Sequence, residues 1–200
     1  MTTVEAPVSH LRENPFEIAQ QQLRRVADTF KIDPVHSSIS FKVRHFFSYV
    51  NGSFKKFDGT IAVDRDHPEK SSVRATIDAA SIDTQNEKRD EDLRSADFFD
   101  VTKYPTITFE SKRVKQTGAD SGDIVGDLTM HGVTKEITLH AKFLGKGRGM
   151  GGKPISGWQV IPEPIKRGEF GLNWSKMVEG TAVVGEEVTV SIDVEADKAP

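Results

Sequence analysis

Residues 36–47 read HSSISFKVRHFF, and this stretch decides the fold class. Odd-numbered positions 39 to 45 hold Ile, Phe, Val and His, whereas even-numbered positions 38 to 44 hold Ser, Lys and Arg. Side chains that alternate in this way point to opposite faces of a β-strand, so one face is apolar and the other is solvated. The apolar face carries the imidazole of His45, and it either packs in a core or borders a cavity.

The same alternation continues along most of the chain. Turn-forming stretches separate the alternating segments, among them DHPEK at 66–70, TGADSG at 117–122 and the tight hairpin MHGVTK at 130–135. About eight strands joined mostly by hairpins predict an all-β protein whose antiparallel sheet closes into a barrel or folds as a sandwich. The predicted strand segments are 37–46, 54–64, 72–83, 105–116, 123–131, 134–144, 156–165 and 186–196.

The N-terminal part of the chain has a different period. In NPFEIAQQQLRRVADTF, residues 14–30, Asn14 is a helix cap and Glu17 follows three residues later as in a capping box. An apolar stripe at helical spacing follows, which predicts an amphipathic helix over 14–28. We therefore divide the chain into a lead with this helix, residues 1–28, and a single barrel domain, residues 29–197.

One charged insertion, residues 83–105, interrupts the strand pattern. Its first part is compatible with a helix, and its later part presents Leu93, Phe98 and Phe99. We expect a short helical insertion near 86–99 that lies over one end of the barrel. Such an insertion can plug the core or form the rim of a pocket.

Composition excludes several classes of function. The chain has 200 residues, a formal net charge of -3 and no cysteine. It therefore lacks the basic field that nucleic acid requires, and it has neither disulfides nor thiolate ligands. The six histidines form no HxH or HExxH motif, so we predict no metal site.

Hydropathy argues against a membrane-spanning segment. No run approaches the ~20 apolar residues that a transmembrane helix needs. Charged residues interrupt the first thirty positions, so a secretory signal is not evident and we expect a cytoplasmic protein.

A glycine-rich loop at 145–153 superficially matches two phosphate-binding motifs. Gly147, Gly149 and Gly152 have the spacing of a dinucleotide fingerprint, and Gly147, Gly152 and Lys153 have nearly that of a phosphate loop. However, Pro154 and the strand-like ISGWQV follow the glycines instead of a helix. Both motifs require the amides at a helix N-terminus, so we reject them. We interpret the loop as a solvated hairpin tip that carries cations, with contact to an anionic head group as the alternative.

The central question is whether the barrel is filled. A barrel of about eight strands is at the size where side chains just fill it or leave room for one small ligand. Twelve phenylalanines favour a ligand, because large flat side chains line elongated apolar cavities well. His45 is then either a hydrogen-bonded structural histidine or a polar anchor for a ligand.

Five stretches of the sequence together resemble the YceI-like family of polyisoprenoid-binding proteins. The resemblance covers residues 29–196, in order, and is much more specific than any single short motif. The stretches are IDPVHSSISFKVRH, GSFKKFDGTI, SIDTQNEKRDEDLRSADFFDVTKYPTITFES, GDLTMHGVTKEITL and IKRGEFGLNW.

The resemblance implies an eight-stranded antiparallel lipocalin-like barrel that is not an enzyme and needs no cofactor. Its interior tunnel is implied to bind an amphiphile with an isoprenoid tail, such as a polyprenyl phosphate or a quinone, and the protein is implied to be a homodimer. Arg89 and Asp90 match the family pattern and are implied to tie the insertion to the barrel. The helix at 14–28 and the lack of an evident leader depart from that pattern.

The inward-facing positions and the family pattern together give the predicted ligand-binding residues. They are Phe41, Val43, His45, Phe54, Phe57, Ile61, Leu93, Phe98, Phe99, Phe109, Leu128, Phe143, Trp158 and Phe170.

Two alternatives remain open from the sequence. One is a small hydrolase or isomerase that acts on an apolar substrate, with His45 or His131 as general base. The other is a filled barrel that acts through its surface. Cavity volume separates the filled barrel from a lipid-binding one, because a space below about 300 Å³ is too small for a long tail.

Overall fold

Strands make up most of the chain in the computed structural model, which describes residues 27–174, 177–178 and 181–199. The strands of the main sheet are β1 (Asp28–Ile32), β2 (Ser38–His45), β3 (Ser48–Phe54), β4 (Phe57–Val63), β5 (Ser72–Asp78), β6 (Ile82–Asp83), β7 (Thr106–Gln116), β8 (Ser121–Met130), β9 (Val133–Arg148), β10 (Pro154–Pro162), β11 (Ile165–Lys166) and β14 (Val184–Lys198). A separate hairpin contains β12 (Met177–Val178) and β13 (Thr181–Ala182).

Helical structure is sparse in the described part of the chain. The one α-helix there is α1 (Glu87–Arg94). Short 3₁₀ turns cover Pro68–Lys70, Ala79–Ser81 and Arg167–Phe170.

The main sheet closes into an eight-stranded antiparallel barrel. The barrel wall has eight strand positions, which we call staves. Four of these staves are interrupted and consist of two consecutive strands: β1 with β2, β3 with β4, β5 with β6, and β10 with β11. Each stave pairs with the next along the chain, and β14 returns to pair with both β1 and β2. The predicted all-β fold and closed barrel are therefore confirmed.

The barrel has two ends of different construction. The insertion end carries the β2–β3 hairpin, the insertion at 84–105, the β8–β9 hairpin and the segment 167–183. The loop end carries the connections 64–71, 117–120 and 149–153. As the sequence predicts, a strand and not a helix follows the glycine-rich loop.

The predicted strand segments match the observed ones except at the start of the barrel and at the short hairpin of β12 and β13, which no predicted segment covers. β1 and most of β3 have no predicted counterpart, since β1 is short and Asn51 and Gly52 interrupt the alternation in β3. The predicted helix over 14–28 lies outside the described residues as far as residue 26. Its predicted last residue, Asp28, is instead the first residue of β1, where it pairs with Val63.

A kink at 33–37 lets one stave pair with β14 in two places. Pro34 follows Asp33, whose carboxylate accepts a hydrogen bond from the Val35 amide at 2.8 Å and so forms an Asx turn. Ser37 then bridges the gap in the ladder: its hydroxyl donates to the Glu195 carbonyl at 3.0 Å and accepts from the Glu195 amide at 2.9 Å. The side chain of Ser37 thus replaces a backbone pair at the kink.

Buried polar contacts hold α1 against Thr84, which directly follows β6. Asn86 caps α1 by accepting a hydrogen bond from the Arg89 amide. The buried carboxylate of Asp90 accepts from both the amide and the hydroxyl of Thr84, while Arg89 donates to the hydroxyl and carbonyl of Thr84. Arg89 and Asp90 thus fix α1 within the insertion, whereas the predicted tie to the barrel is made by Arg94, which donates to the carbonyls of Ala80 and Ile82.

The solid core lies at the insertion end. Its buried residues come from the parts of the strands nearest that end and from the turn after β11. The described members are Ala79, Ile107, Phe109, Leu128, Met130, Leu139, Val160, Phe170 and Leu172. Buried apolar residues such as Phe30, Ile39 and Ala196 lie outside this cluster, so buried packing also continues along β1, β2 and β14.

Replacement of Asp90 by Ala should destabilise the protein by about 2–3 kcal/mol, because it leaves the buried amide and hydroxyl of Thr84 without their acceptor. The matched control is Asp92→Ala on the exposed side of the same helix, which should change stability by less than about 0.5 kcal/mol. Urea denaturation followed by tryptophan fluorescence measures both. Equal effects of the two substitutions would show that the Thr84 contacts contribute little.

Candidate functional site

The barrel encloses a cavity of about 650 Å³. This volume lies within the range of about 300–1,000 Å³ that is typical of ligand pockets. The wall is built from the inward-facing side chains of the strands, and Leu93, Phe98 and Phe99 of the insertion contribute to it. The alternative of a filled barrel is therefore wrong for this structure.

Twelve of the fourteen predicted ligand-binding residues line the cavity. Nine of them lie on strands, where the period-2 pattern gives eight and the family pattern gives Phe54, and the insertion supplies the other three. The twelve are Phe41, Val43, Phe54, Phe57, Ile61, Leu93, Phe98, Phe99, Phe109, Leu128, Phe143 and Trp158.

His45 and Phe170 do not line the cavity, which corrects their predicted placement. His45 ends β2, and Phe46 reverses the chain there with a φ of 48°; the two rings meet edge to face at 5.2 Å. Phe170 is only 2% exposed and packs in the solid core at the insertion end. His45 is the last residue of β2, next to the turn at Phe46, and Phe170, which the family pattern supplied, lies in a 3₁₀ turn and not on a strand.

Aromatic rings form two groups along the cavity wall. Towards the insertion end, Phe54 lies between Phe41 and Phe99, with ring centroids 5.8 and 6.0 Å apart. Nearer the loop end, Trp158 lies between Phe30 and Phe143 at 5.6 and 5.8 Å. Tilted and edge-to-face contacts of this kind hold the rings in fixed orientations, so the wall is preorganised for an apolar ligand.

Two glycines allow aromatic rings to lie flat against the wall. A Cβ atom on Gly52 would collide with the far end of the Phe41 ring across the β2–β3 pair. A Cβ atom on Gly126 would collide with the Phe109 ring and with the Glu110 carbonyl. Side chains at these two positions would displace Phe41 and Phe109, both of which line the cavity.

The cavity opens at the loop end. Of the described lining residues, the exposed ones lie at this end with the exception of Asp58, which follows the break between β3 and β4. At the insertion end, by contrast, lining residues such as Ile82, Arg167 and Leu172 are buried. The exposed residues at the loop end, which we call the mouth, are Arg65, Ser72, Gln116, Ala119, Asp120, Ser121 and Lys146.

Charges of both signs surround the mouth. Asp28, on β1, forms ion pairs with Lys198 at 2.6 Å and with Arg65 at 3.5 Å. The hydrogen bond from Lys198 is the main cause of the lowered pKa of Asp28, and the positive charges of Arg65 and Lys146 add to it. The mouth is thus polar, whereas the space behind it is apolar.

The sequence analysis missed several lining residues. Phe30 belongs to the unpredicted strand β1, and Ser156 is a buried serine on β10. Arg167 is buried as well, and its guanidinium donates to the carbonyls of Gly185, Leu172 and Trp174. An arginine flanked by glycine in IKRGEFG signals a folded turn, but the sequence does not reveal that its side chain reaches the cavity.

His131, the other predicted general base, also lies outside the cavity wall. It occupies a tight turn with a φ of 51°, and its Nδ1 atom lies 3.1 Å from the Phe170 carbonyl. The Tyr104 ring packs against it edge to face at 4.6 Å. Neither His45 nor His131 is therefore placed to contact a molecule inside the barrel.

One group of residues on the outside of the kink has the donor types of a metal site. Ligand atoms of Asp33, His36 and Glu195 lie within 4.8 Å of one another. The Nδ1 atom of His36 is hydrogen bonded to the Asp33 carboxylate at 2.7 Å, and this contact lowers the pKa of Asp33. The kink itself accounts for the arrangement, so we assign these residues a structural role.

Within the described residues, no helix has the length and apolar character needed to cross a membrane.

Comparisons with known proteins agree on one family. The model of the YceI-like domain matches residues 30–196. Protein YceI of Shigella flexneri is 42% identical over 173 residues, which cover 85% of this chain and 87% of that protein.

Two solved structures resemble the barrel. The Campylobacter jejuni YceI protein has 31% identity and a TM-score of 0.67, with 78% of this chain and 90% of that chain covered. A polyisoprenoid binding domain from Saccharophagus degradans has 16% identity and a TM-score of 0.58, with 86% of this chain and 99% of that chain covered. The second likeness concerns the fold alone.

The kink should make stability depend on pH. The hydrogen bond with Asp33, supported by the negative charges of Asp33 and Glu195, raises the pKa of His36 above its ordinary value of 6.5. Because the folded-state pKa is the higher one, protonated His36 adds stability below about pH 6.5, and this contribution is lost as the pH rises through the folded-state pKa. NMR titration of the His36 ring should therefore give a raised pKa.

The control for this titration is Asp33→Asn, which should return the pKa of His36 towards its ordinary value. The variant His36→Gln should lack the corresponding loss of urea stability as the pH rises above about 6.5. An ordinary pKa for His36 in the unmodified protein would contradict the assignment.

Proposed function

The chain belongs to the YceI-like family, and from that premise we propose that its barrel binds an amphiphilic isoprenoid lipid and does not transform it. The tail occupies the cavity, and the head group stays at the mouth. Sequestration or transport of the lipid is the resulting function.

The observation that carries the proposal is the apolar cavity with a polar mouth. Its volume of about 650 Å³ and its aromatic wall fit an extended hydrocarbon chain. Solvated residues such as Arg65, Asp120 and Lys146 border the mouth, where a polar head group can keep its water. The Saccharophagus degradans domain, described as polyisoprenoid binding, has the same type of barrel.

Burial of the tail is sufficient to account for affinity. An isoprene unit has five carbons, and about 0.3 kcal/mol per heavy atom gives about 1.5 kcal/mol per unit. Five units then contribute about 7.5 kcal/mol, which corresponds to a dissociation constant of a few micromolar. Selection should therefore depend on the tail more than on the head group.

The residues of the wall support binding without catalysis. Away from the mouth and from Asp64 and Ser71 on the adjoining connection 64–71, the described polar lining residues are Ser37, Asp58, Ser156 and Arg167. Ser37 and Arg167 already bond to the backbone, and Asp58 is exposed. No histidine belongs to the described lining, so the cavity offers no imidazole as general base.

Polyprenyl phosphates and quinones both fit this proposal, because each combines an isoprenoid tail with a polar head. The cations at the mouth, Arg65 and Lys146, favour a phosphate, while the apolar depth accommodates either tail. The homodimer and the cytoplasmic location that the sequence predicts stay predictions.

Organic extraction of the folded protein, followed by mass spectrometry, tests the proposal directly. We expect a prenyl lipid in the extract, and we expect added prenyl lipids to change the fluorescence of Trp158, which lines the cavity. A clean extract together with unchanged fluorescence would overturn the proposal.

Substitution of a lining residue tests the location of the tail. In Val43→Trp, the indole should fill the part of the cavity near the insertion end, so that long-tailed lipids bind at least tenfold more weakly while short-tailed lipids are less affected. The matched control is Thr189→Trp, an exposed position on the neighbouring strand β14, which should bind as the unmodified protein does. Unchanged affinity in Val43→Trp would place the tail elsewhere.

A further inference from the structure

The β9–β10 hairpin tip, residues 145–153, is a strongly basic segment on a protein that is otherwise acidic overall. It contains Lys146, Arg148 and Lys153 and no acidic residue, although the whole chain has a formal net charge of -3. None of the three cations forms a salt bridge among the described residues. The positive charge of the tip is therefore available to a partner.

The tip also exposes an apolar side chain. Met150 is fully exposed at its centre, and Leu144 on the adjoining strand is 59% exposed. Gly151 and Gly152 have positive φ values and open space around them, so no packed side chain buttresses the turn. Three hydrogen bonds close it: the Arg148 side chain donates to the Gly152 carbonyl, the Gly149 amide to the Lys153 carbonyl, and the Gly152 amide to the Gly149 carbonyl.

The hairpin adjoins the mouth of the cavity. Lys146 belongs both to the tip and to the lining of the mouth. Asp120 and Asp64 are also at the mouth, but they lie on the connections 117–120 and 64–71 and not on the tip. Any surface that binds the hairpin tip therefore lies next to the mouth of the cavity.

We propose that the hairpin tip docks the barrel onto a bilayer that contains anionic phospholipid. Three cations around one exposed methionine have the composition of an interfacial anchor: the cations bind lipid phosphates, and the thioether enters the region between head groups and acyl chains. Docking in this orientation turns the mouth towards the membrane. The inference goes beyond the proposed function, because it concerns ordinary phospholipids and requires no isoprenoid ligand.

The test uses the full chain and vesicles that contain no prenyl lipid. Sedimentation compares vesicles of phosphatidylcholine alone with vesicles that contain about one-third phosphatidylglycerol. We expect binding to the anionic vesicles alone, and we expect about 0.5 M salt to abolish it because the contacts are solvent exposed.

The informative variant is Arg148→Gln combined with Lys153→Gln and Met150→Ser. Its affinity for the anionic vesicles should fall about thirtyfold, from the two lost cations alone, and further without the methionine. The matched control removes two cations and one exposed methionine at the insertion end: Lys88→Gln, Lys135→Gln and Met177→Ser. The control should bind as the unmodified protein does.

Three results would overturn the proposal. They are no binding of the unmodified protein to anionic vesicles, equal binding to both vesicle types, and equal losses in the hairpin variant and its control. Binding of prenyl lipid in detergent, measured in parallel on the same variants, tests the proposed function separately, since the tip variant should retain it.

Discussion

The structure depends on the pairing of β14 with the first stave. β14 contacts β2 along one part of its length and β1 along another, and Ser37 supplies the hydrogen bonds where the stave is kinked. Without the kink, the stave could not hydrogen bond along β14 and also turn towards β4. Closure removes the free edges that an open sheet of eight staves would present, and it forms the interior of the barrel.

The interior of the barrel holds both packed side chains and a cavity. At the insertion end, Phe170 and the neighbouring core side chains pack against one another, and the Thr84–Asp90 contacts hold α1 next to β6. Several of these core residues, Leu128 and Leu172 among them, also line the cavity. Towards the loop end, the rings of Phe30 and Trp158 contact each other and line the rest of the space. The same apolar side chains thus stabilise the barrel and form the surface of the cavity.

Much of this arrangement is encoded locally and could be predicted. Alternation with a period of two identifies the inward residues of every long strand, which is why Phe41, Phe57, Phe109 and Trp158 are placed correctly. Hairpin chemistry likewise predicts the turn at 131–132, where both residues have positive φ values. The family resemblance, confirmed over residues 30–196, supplies the number of staves.

The rest depends on contacts between distant parts of the chain. No local pattern reveals that Ser37 contacts Glu195 or that Arg167 reaches Gly185 and the cavity, because both contacts form only when β14 closes the barrel. The sequence analysis also leaves the open end undecided. That question is answered by the exposure of Lys146 and Asp120 against the burial of Leu172.

The span of the closing contact has a consequence for how the molecule reaches its native state. Ser37 and Glu195 are 158 residues apart in the chain. The adjacent hairpins can form early from neighbouring residues, but the ring cannot shut until its first and last staves meet, and long-range pairing of this kind is slow. During that interval β2 and β10 are unprotected edges, so newly made chains are most vulnerable to intermolecular β-pairing just before the final stave arrives.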